Sequence, residues 1–98
     1  MKIIGIIPAR MESTRLPGKP LIKLGDKSMI QRVYEAAIKC EQLNDLFVAT
    51  PNDEIYNHVT NFGKAILTSN KPINGTERVY EAYKKVDLNY DFIINIQG

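Results

Sequence analysis

The chain has 98 residues, 13 of them basic and 11 acidic, for a formal net charge of +2. At this length about 65% of the unfolded surface can be buried, which suffices for one core and excludes two. The 44% hydrophobic and 24% charged content excludes a disordered chain, and +2 is too weak a charge to argue for nucleic acid. The single cysteine, Cys40, excludes an internal disulfide and suits a reducing compartment. No apolar run reaches the ~18 residues of a membrane span. The apolar stretch Ile3–Ile7 runs directly into Pro8-Ala9-Arg10, too short for a signal peptide, so a cytoplasmic protein is expected.

In chain order, KIIGIIP (2–8) reads as a buried strand. ARMESTRLPGKP (9–20) loses apolar periodicity and carries one Gly and two Pro, so it is a loop. Residues 21–27 read as a connector ending in a turn at Gly25-Asp26. A helix starts at Ser28, with Gln31 at capping-box spacing and Ile30, Val33, Tyr34 and Ala37 on one face. DLFVAT (45–50) is a second strand. Thr50-Pro51-Asn52-Asp53 predicts a second helix with Thr50 as its cap, lined by Ile55, Val59 and Phe62 and ended by Gly63. KAILT (64–68) is a third strand. Asn74 with Glu77 predicts the cap of a third helix, whose stripe is Val79, Ala82, Tyr83 and Val86. YDFIINI (90–96) is a fourth strand.

The order βαβαβαβ argues for an α/β fold, a mostly parallel sheet of about four strands with helices on both faces. Right-handed crossovers set the first three strands side by side, and the fourth pairs with the free side of the first, giving order 3-2-1-4. Ligands in such sheets bind where strand order reverses, at the carboxyl ends of the strands. That crevice would be walled by the loop after Pro8 and by Asn95-Ile96-Gln97-Gly98.

The loop after Pro8 carries Arg10, Arg15, Lys19 and Lys23 against Glu12, a net +3. With the hydroxyls of Ser13 and Thr14, and Gly18 permitting close backbone approach, it suits a polyphosphate. It is not a P-loop, since Pro20 follows Gly18-Lys19 and Ser13 stands where a Gly is needed. A solvated basic loop is the competing reading of the charges.

His58 reads as a surface or partly packed residue, and Cys40 as a core or boundary thiol, not a nucleophile. Tyr34, Tyr56, Tyr80 and Tyr83 read as core or boundary residues. Asp53 and Glu54 favour the helix dipole, and Glu77 a cap. Asn74-Gly75-Thr76 is formally a glycosylation sequon but reads as a turn and cap. Arg78 has no evident structural task and is retained as a ligand contact.

The run IIPARMESTRLPGKPL (6–21) resembles the N-terminal signature of the sugar-activating cytidylyltransferases, most nearly the branch that acts on 3-deoxy-manno-octulosonate (Kdo). FVATPNDEI (47–55), NGTERVYEA (74–82) and FIINIQG (92–98) match in order, so the resemblance covers essentially the whole chain. It implies a Rossmann-like nucleotide-diphospho-sugar transferase fold, of which residues 1–98 form the N-terminal nucleotide-binding part. It also implies transfer of CMP from CTP to Kdo with release of pyrophosphate, for lipopolysaccharide biosynthesis, with Mg²⁺. Pro8, Ala9 and Arg10 would line the cytosine site. Arg15 and Lys19 would hold the triphosphate in the catalytic role, with Ser13 and Thr14 nearby. Asn74, Gly75 and Arg78 would close on the base, and Gln97 would meet the nucleotide from the fourth strand. The family's metal-binding Asp follows the IQG run, so no metal ligand is expected within 1–98. The acceptor pocket and the homodimer interface are also expected outside it, and the 98 residues alone are expected to be inactive. Another acidic sugar (a sialic acid or 8-amino-Kdo), a non-catalytic nucleotide-binding module, or a truncation product with an aggregation-prone strand edge stay open as alternatives.

Overall fold

The computed structural model describes residues 1–11, 18–69, 75–86 and 89–96. The elements are β1 (Ile3–Pro8), a 3-10 turn (Lys19–Leu21), β2 (Lys23–Leu24), β3 (Lys27–Ser28), α1 (Met29–Ile38), β4 (Asp45–Thr50), α2 (Asp53–Val59), β5 (Ala65–Leu67), α3 (Gly75–Lys85) and β6 (Phe92–Asn95). The main sheet is parallel throughout, in the order β5-β4-β1-β6. This is the expected 3-2-1-4 arrangement, and strand order reverses between β1 and β6.

Alternation along the central strands builds the two faces. Ile7 with Leu46 and Val48 packs on one face against Ile30 and Tyr34 of α1 and Ile55 and Val59 of α2. Ile4, Ile6 and Ala49 pack on the other against Val79 and Ala82 of α3. Because strand side chains alternate in direction, β1 and β4 supply both cores and must be apolar almost throughout.

At the amino end of the sheet, reciprocal bonds hold the strands in register. Asn44 Oδ1 accepts the Ile3 amide at 2.7 Å, and Ile3 O accepts the Asn44 amide at 2.8 Å. Asp91 Oδ2 accepts the Lys2 amide at 2.8 Å, and Lys2 O accepts the Asp91 amide at 2.8 Å. A side-chain cluster adds to this clasp: the Tyr90 hydroxyl donates to Asp45, which also pairs with Lys64 at 3.2 Å.

Several expectations are corrected. Residues 21–27 are more than a connector. They contribute the end of the 3-10 turn and an antiparallel hairpin in which Lys23 pairs with Ser28 and Leu24 with Lys27. Gly25, at φ 75°, makes the turn between them. Thr50 does not cap α2. It is the buried last residue of β4, and Asn52 holds the cap position. Pairing with the buried sheet outweighs the local preference of Thr50 for a cap. Helix α2 ends at Val59 with Thr60 in a right-handed conformation, and Gly63 is not left-handed. Cys40 is exposed, because α1 ends at Ile38 and the chain beyond it leaves the core. Tyr80 is also exposed, whereas Tyr34 is buried and Tyr83 partly so. The expected cap Asn74 lies outside the described residues.

Strand β6 is the least covered element. Phe92, Ile93 and Ile94 are 55%, 42% and 42% exposed. Among the described residues β6 pairs only with β1, while α3 packs on β1, β4 and β5. Such an apolar edge, without a second strand partner among the described residues, is a template on which another chain can pair.

Candidate nucleotide site

The site lies at the carboxyl ends of β1 and β6, where strand order reverses. The last residue of β1 is Pro8, which stands opposite Ala49. The parallel ladder runs one step further, from the Ala9 amide to Ala49 O at 2.9 Å. Ala9 is buried and Arg10 is exposed. On the other side the Ile96 amide donates to Ile6 O at 3.0 Å, which carries the chain after β6 alongside β1. Ala9–Met11 and Asn95–Ile96 therefore follow the carboxyl ends of the adjacent strands β1 and β6.

The loop after β1 is closed at its mouth. The Gly18 amide donates to Met11 O at 2.8 Å. Gly18 is left-handed at φ 75°, a conformation that any side chain would strain. This turn leads directly into Lys19, with Pro20 at the start of the 3-10 turn, where its missing N–H costs nothing. Leu21 N bonds to Gly18 O at 3.0 Å and Ile22 N to Lys19 O at 3.1 Å. The hairpin then anchors on α1. Arg32 Nε donates to Leu24 O at 2.9 Å, and the Met29 amide to Ile22 O at 2.8 Å. Lys19 is thus half-buried on a rigid support, returned by Gly18 to the end of β1.

From the opposite face, α3 brings Arg78 in its first turn. Arg78 is only 3% exposed, next in sequence to Val79, which packs in the core between α3 and the sheet. Glu77 is exposed in the same turn, an acid at a helix start that the dipole favours. The segment leading towards α3 is tied to it: Glu81 accepts the Ser69 amide at 2.6 Å and the Ser69 hydroxyl at 2.7 Å. The Ser69 hydroxyl, and then its amide and Lys85, hold the Glu81 carboxyl below the usual range.

Of the expected site residues, the structure brings Pro8, Ala9, Arg10 and Lys19 together at the end of β1. It sets Gly75 and Arg78 at the start of α3. Ser13, Thr14, Arg15, Asn74 and Gln97 lie outside the described residues. No group of three or more His, Cys, Asp or Glu side chains that could hold a metal occurs among the described residues. His58 is partly packed: its Nε2 lies 2.6 Å from Ser28 Oγ, and its ring meets Phe62 edge-on at 5.4 Å. Sequence reasoning missed Asn52, whose Oδ1 accepts the Met11 amide at 2.9 Å. An Asn at a helix start looks like a cap, and nothing local signals a partner 41 residues away.

A parallel sheet with helices on both faces and a reversal of strand order between β1 and β6 defines an α/β protein of the doubly wound class. The family is narrower than that class. The cytidylyltransferase family model matches residues 4–98, and the chain belongs to that family. It is 52% identical over 99 residues to 3-deoxy-manno-octulosonate cytidylyltransferase of Parabacteroides distasonis, covering 100% of this chain and 39% of that protein. The enzyme of the same name from Fusobacterium nucleatum is also 52% identical over 99 residues, again covering all of this chain and 40% of its relative. A solved structure of CMP:2-keto-3-deoxy-manno-octonic acid synthetase complexed with CTP superimposes with a TM-score of 0.92 at 43% identity. That match covers 99% of this chain and 40% of the other. The chain therefore spans about 40% of the length of the relatives it matches.

Proposed function

We propose that residues 1–98 are the N-terminal nucleotide-binding part of a CTP-dependent nucleotidyltransferase, 3-deoxy-manno-octulosonate cytidylyltransferase, serving lipopolysaccharide biosynthesis in the cytoplasm. The observation that carries this reading is the close likeness of the chain, at 43% identity and a TM-score of 0.92, to a synthetase complexed with CTP. In the reaction the anomeric hydroxyl oxygen of Kdo forms a bond to the α-phosphorus of CTP. The bond from that phosphorus to the bridging oxygen breaks, pyrophosphate leaves with the bonding pair, and the hydroxyl proton is released.

The residues act by binding and orienting. The backbone of Pro8, Ala9 and Arg10 lines the base site, where a rigid sheet end discriminates by shape. Lys19 and Arg15 hold the triphosphate, with Ser13 and Thr14 as hydroxyl donors. Charge on the phosphate oxygens rises in the transition state, so fixed cations there lower the barrier. Asn74, Gly75 and Arg78 serve the base, and Gln97 serves the nucleotide. Mg²⁺ would neutralise phosphate charge. Its carboxylates belong to the longer enzyme, as do the Kdo pocket and the homodimer interface. No described helix is long and apolar enough to cross a membrane.

The test is product formation by the full-length enzyme. CTP and Kdo should give CMP-Kdo and one pyrophosphate, with ATP inert in place of CTP. Faster turnover of a sialic acid or 8-amino-Kdo would transfer the assignment to that sugar. Binding of CTP with no turnover of any acceptor would favour a non-catalytic nucleotide-binding module.

A further inference from the structure

Asn52 occupies the cap position of α2, yet its side chain makes no capping bond to that helix. An Asn there ordinarily accepts an amide of the first helical turn. Its backbone does serve the helix start: Asn52 O accepts the Tyr56 amide at 3.0 Å, and the Asn52 amide donates to Thr50 Oγ1 at 3.2 Å. Its side-chain oxygen is turned instead to the neighbouring loop, accepting the Met11 amide at 2.9 Å.

Met11 is the junction of that loop. Its amide follows the last ladder bond, Ala9 N to Ala49 O, and its carbonyl accepts the Gly18 amide at 2.8 Å. Gly18, left-handed, hands the chain directly to Lys19. A continuous set of bonds therefore runs from the start of α2 through Asn52 and Met11 to Gly18 and Lys19.

We infer that Asn52 is a positioning residue of the nucleotide site, one that fixes the mouth of the basic loop so that Lys19 stands preorganised for the triphosphate of CTP. This role rests on the function proposed above. The physical reason is the ordering cost of binding. A loop whose mouth is held in the free protein needs less ordering when ligand arrives, and releasing it weakens binding without removing any contact to ligand.

The test compares full-length wild-type protein with Asn52→Ala, Asn52→Ser and Asn52→Asp. Ser can cap α2 but is too short to reach Met11, whereas Asp keeps an oxygen where Oδ1 stands. Amide hydrogen exchange is measured without nucleotide, and the Kd for CTP by calorimetry. In Asn52→Ala and Asn52→Ser, protection should fall at both Met11 and Gly18, while Tyr56 and Thr60 in and after α2 stay protected. The Kd for CTP should rise about fivefold, the equivalent of one net hydrogen bond. Asn52→Asp should restore protection at Met11 and Gly18. Gly18 protection and CTP affinity unchanged in Asn52→Ser would overturn the role, leaving a local contact only. Wild-type protein that does not bind CTP would instead overturn the nucleotide reading, and this role with it, whatever the exchange pattern.

Discussion

The ring of Tyr34 fills the space that a side chain at Gly63 would need. A Cβ at Gly63 would stand 2.4 Å from Cζ of Tyr34 and 2.8 Å from its hydroxyl oxygen. The same hydroxyl donates to Leu46 O at 3.3 Å and accepts the Lys64 amide at 3.2 Å, so the ring cannot retreat without losing both bonds. Gly63 is thus required for close approach and not for an unusual backbone angle. Gly63→Ala is expected to destabilise the protein by about 1–3 kcal/mol, the usual cost of overpacking a filled core. Tyr34→Phe should lose about 1 kcal/mol through the hydrogen bonds alone. Urea unfolding of both variants checks the order.

The Tyr90–Asp45 pair predicts how stability responds to pH. The Tyr90 hydroxyl beside Asp45, followed by Lys64, holds the Asp45 carboxyl below the usual carboxylate range. Burial, and then the Asp45 carboxylate, push the Tyr90 hydroxyl up to about 12. Asp45 is lowered on folding, so its contribution is fully present above the unfolded value of about 3.9 and lost as pH falls through the lower folded one. Tyr90 is raised, so its contribution is fully present below the unfolded value of about 10. It is lost as pH rises through about 12. Tyr90→Phe should cost about 1 kcal/mol near neutrality, since the Asp45 side chain is still 26% exposed. Chemical denaturation of both proteins across pH should find that difference constant between about pH 5 and 9 and closing below about pH 4.

Ser28 carries two tasks at the start of α1. Its Oγ accepts the Gln31 amide at 3.2 Å and lies 2.6 Å from His58 Nε2, and the residue is 1% exposed. Ser28→Ala removes the cap and leaves His58 Nε2 without this partner. The expected loss is about 1–2 kcal/mol, read as a lowered urea midpoint. His58→Ala should cost less, because the cap bond from Gln31 survives.

Lys19 separates the phosphate-binding reading from a solvated basic loop. In the full-length enzyme, Lys19→Ala should reduce turnover on the order of 10²–10³-fold. Thermal stability should change little, because the backbone of the 3-10 turn does not depend on the lysine side chain. Steady-state rates beside a melting curve check this, and an unchanged rate would remove Lys19 from the mechanism.

Much of the architecture was legible from periodicity. The Ile-rich run at 3–8, DLFVAT at 45–50 and the Val79–Ala82 stripe are local patterns, and local sterics and burial dictate what they become. Their alternation, with right-handed crossovers, was enough to reach the order β5-β4-β1-β6 and the reversal of strand order between β1 and β6. The basic loop and its resemblance were equally visible, since both reside in contiguous residues.

What only the tertiary structure decided depends on pairs far apart in the chain. Thr50 looks like a cap until the sheet claims it. Asn52 looks like part of a helix start until Met11 arrives 41 residues away along the chain. Nothing in the local sequence marks Arg78 as buried, yet in α3 it is only 3% exposed. Tyr90 meets Asp45 across 45 residues. The residue types at these positions suit several local roles of similar energy, differing by about 1 kcal/mol. Strand-helix alternation therefore follows from the sequence by itself, while the partners of individual polar side chains are chosen by which distant groups the packed sheet brings within hydrogen-bonding reach.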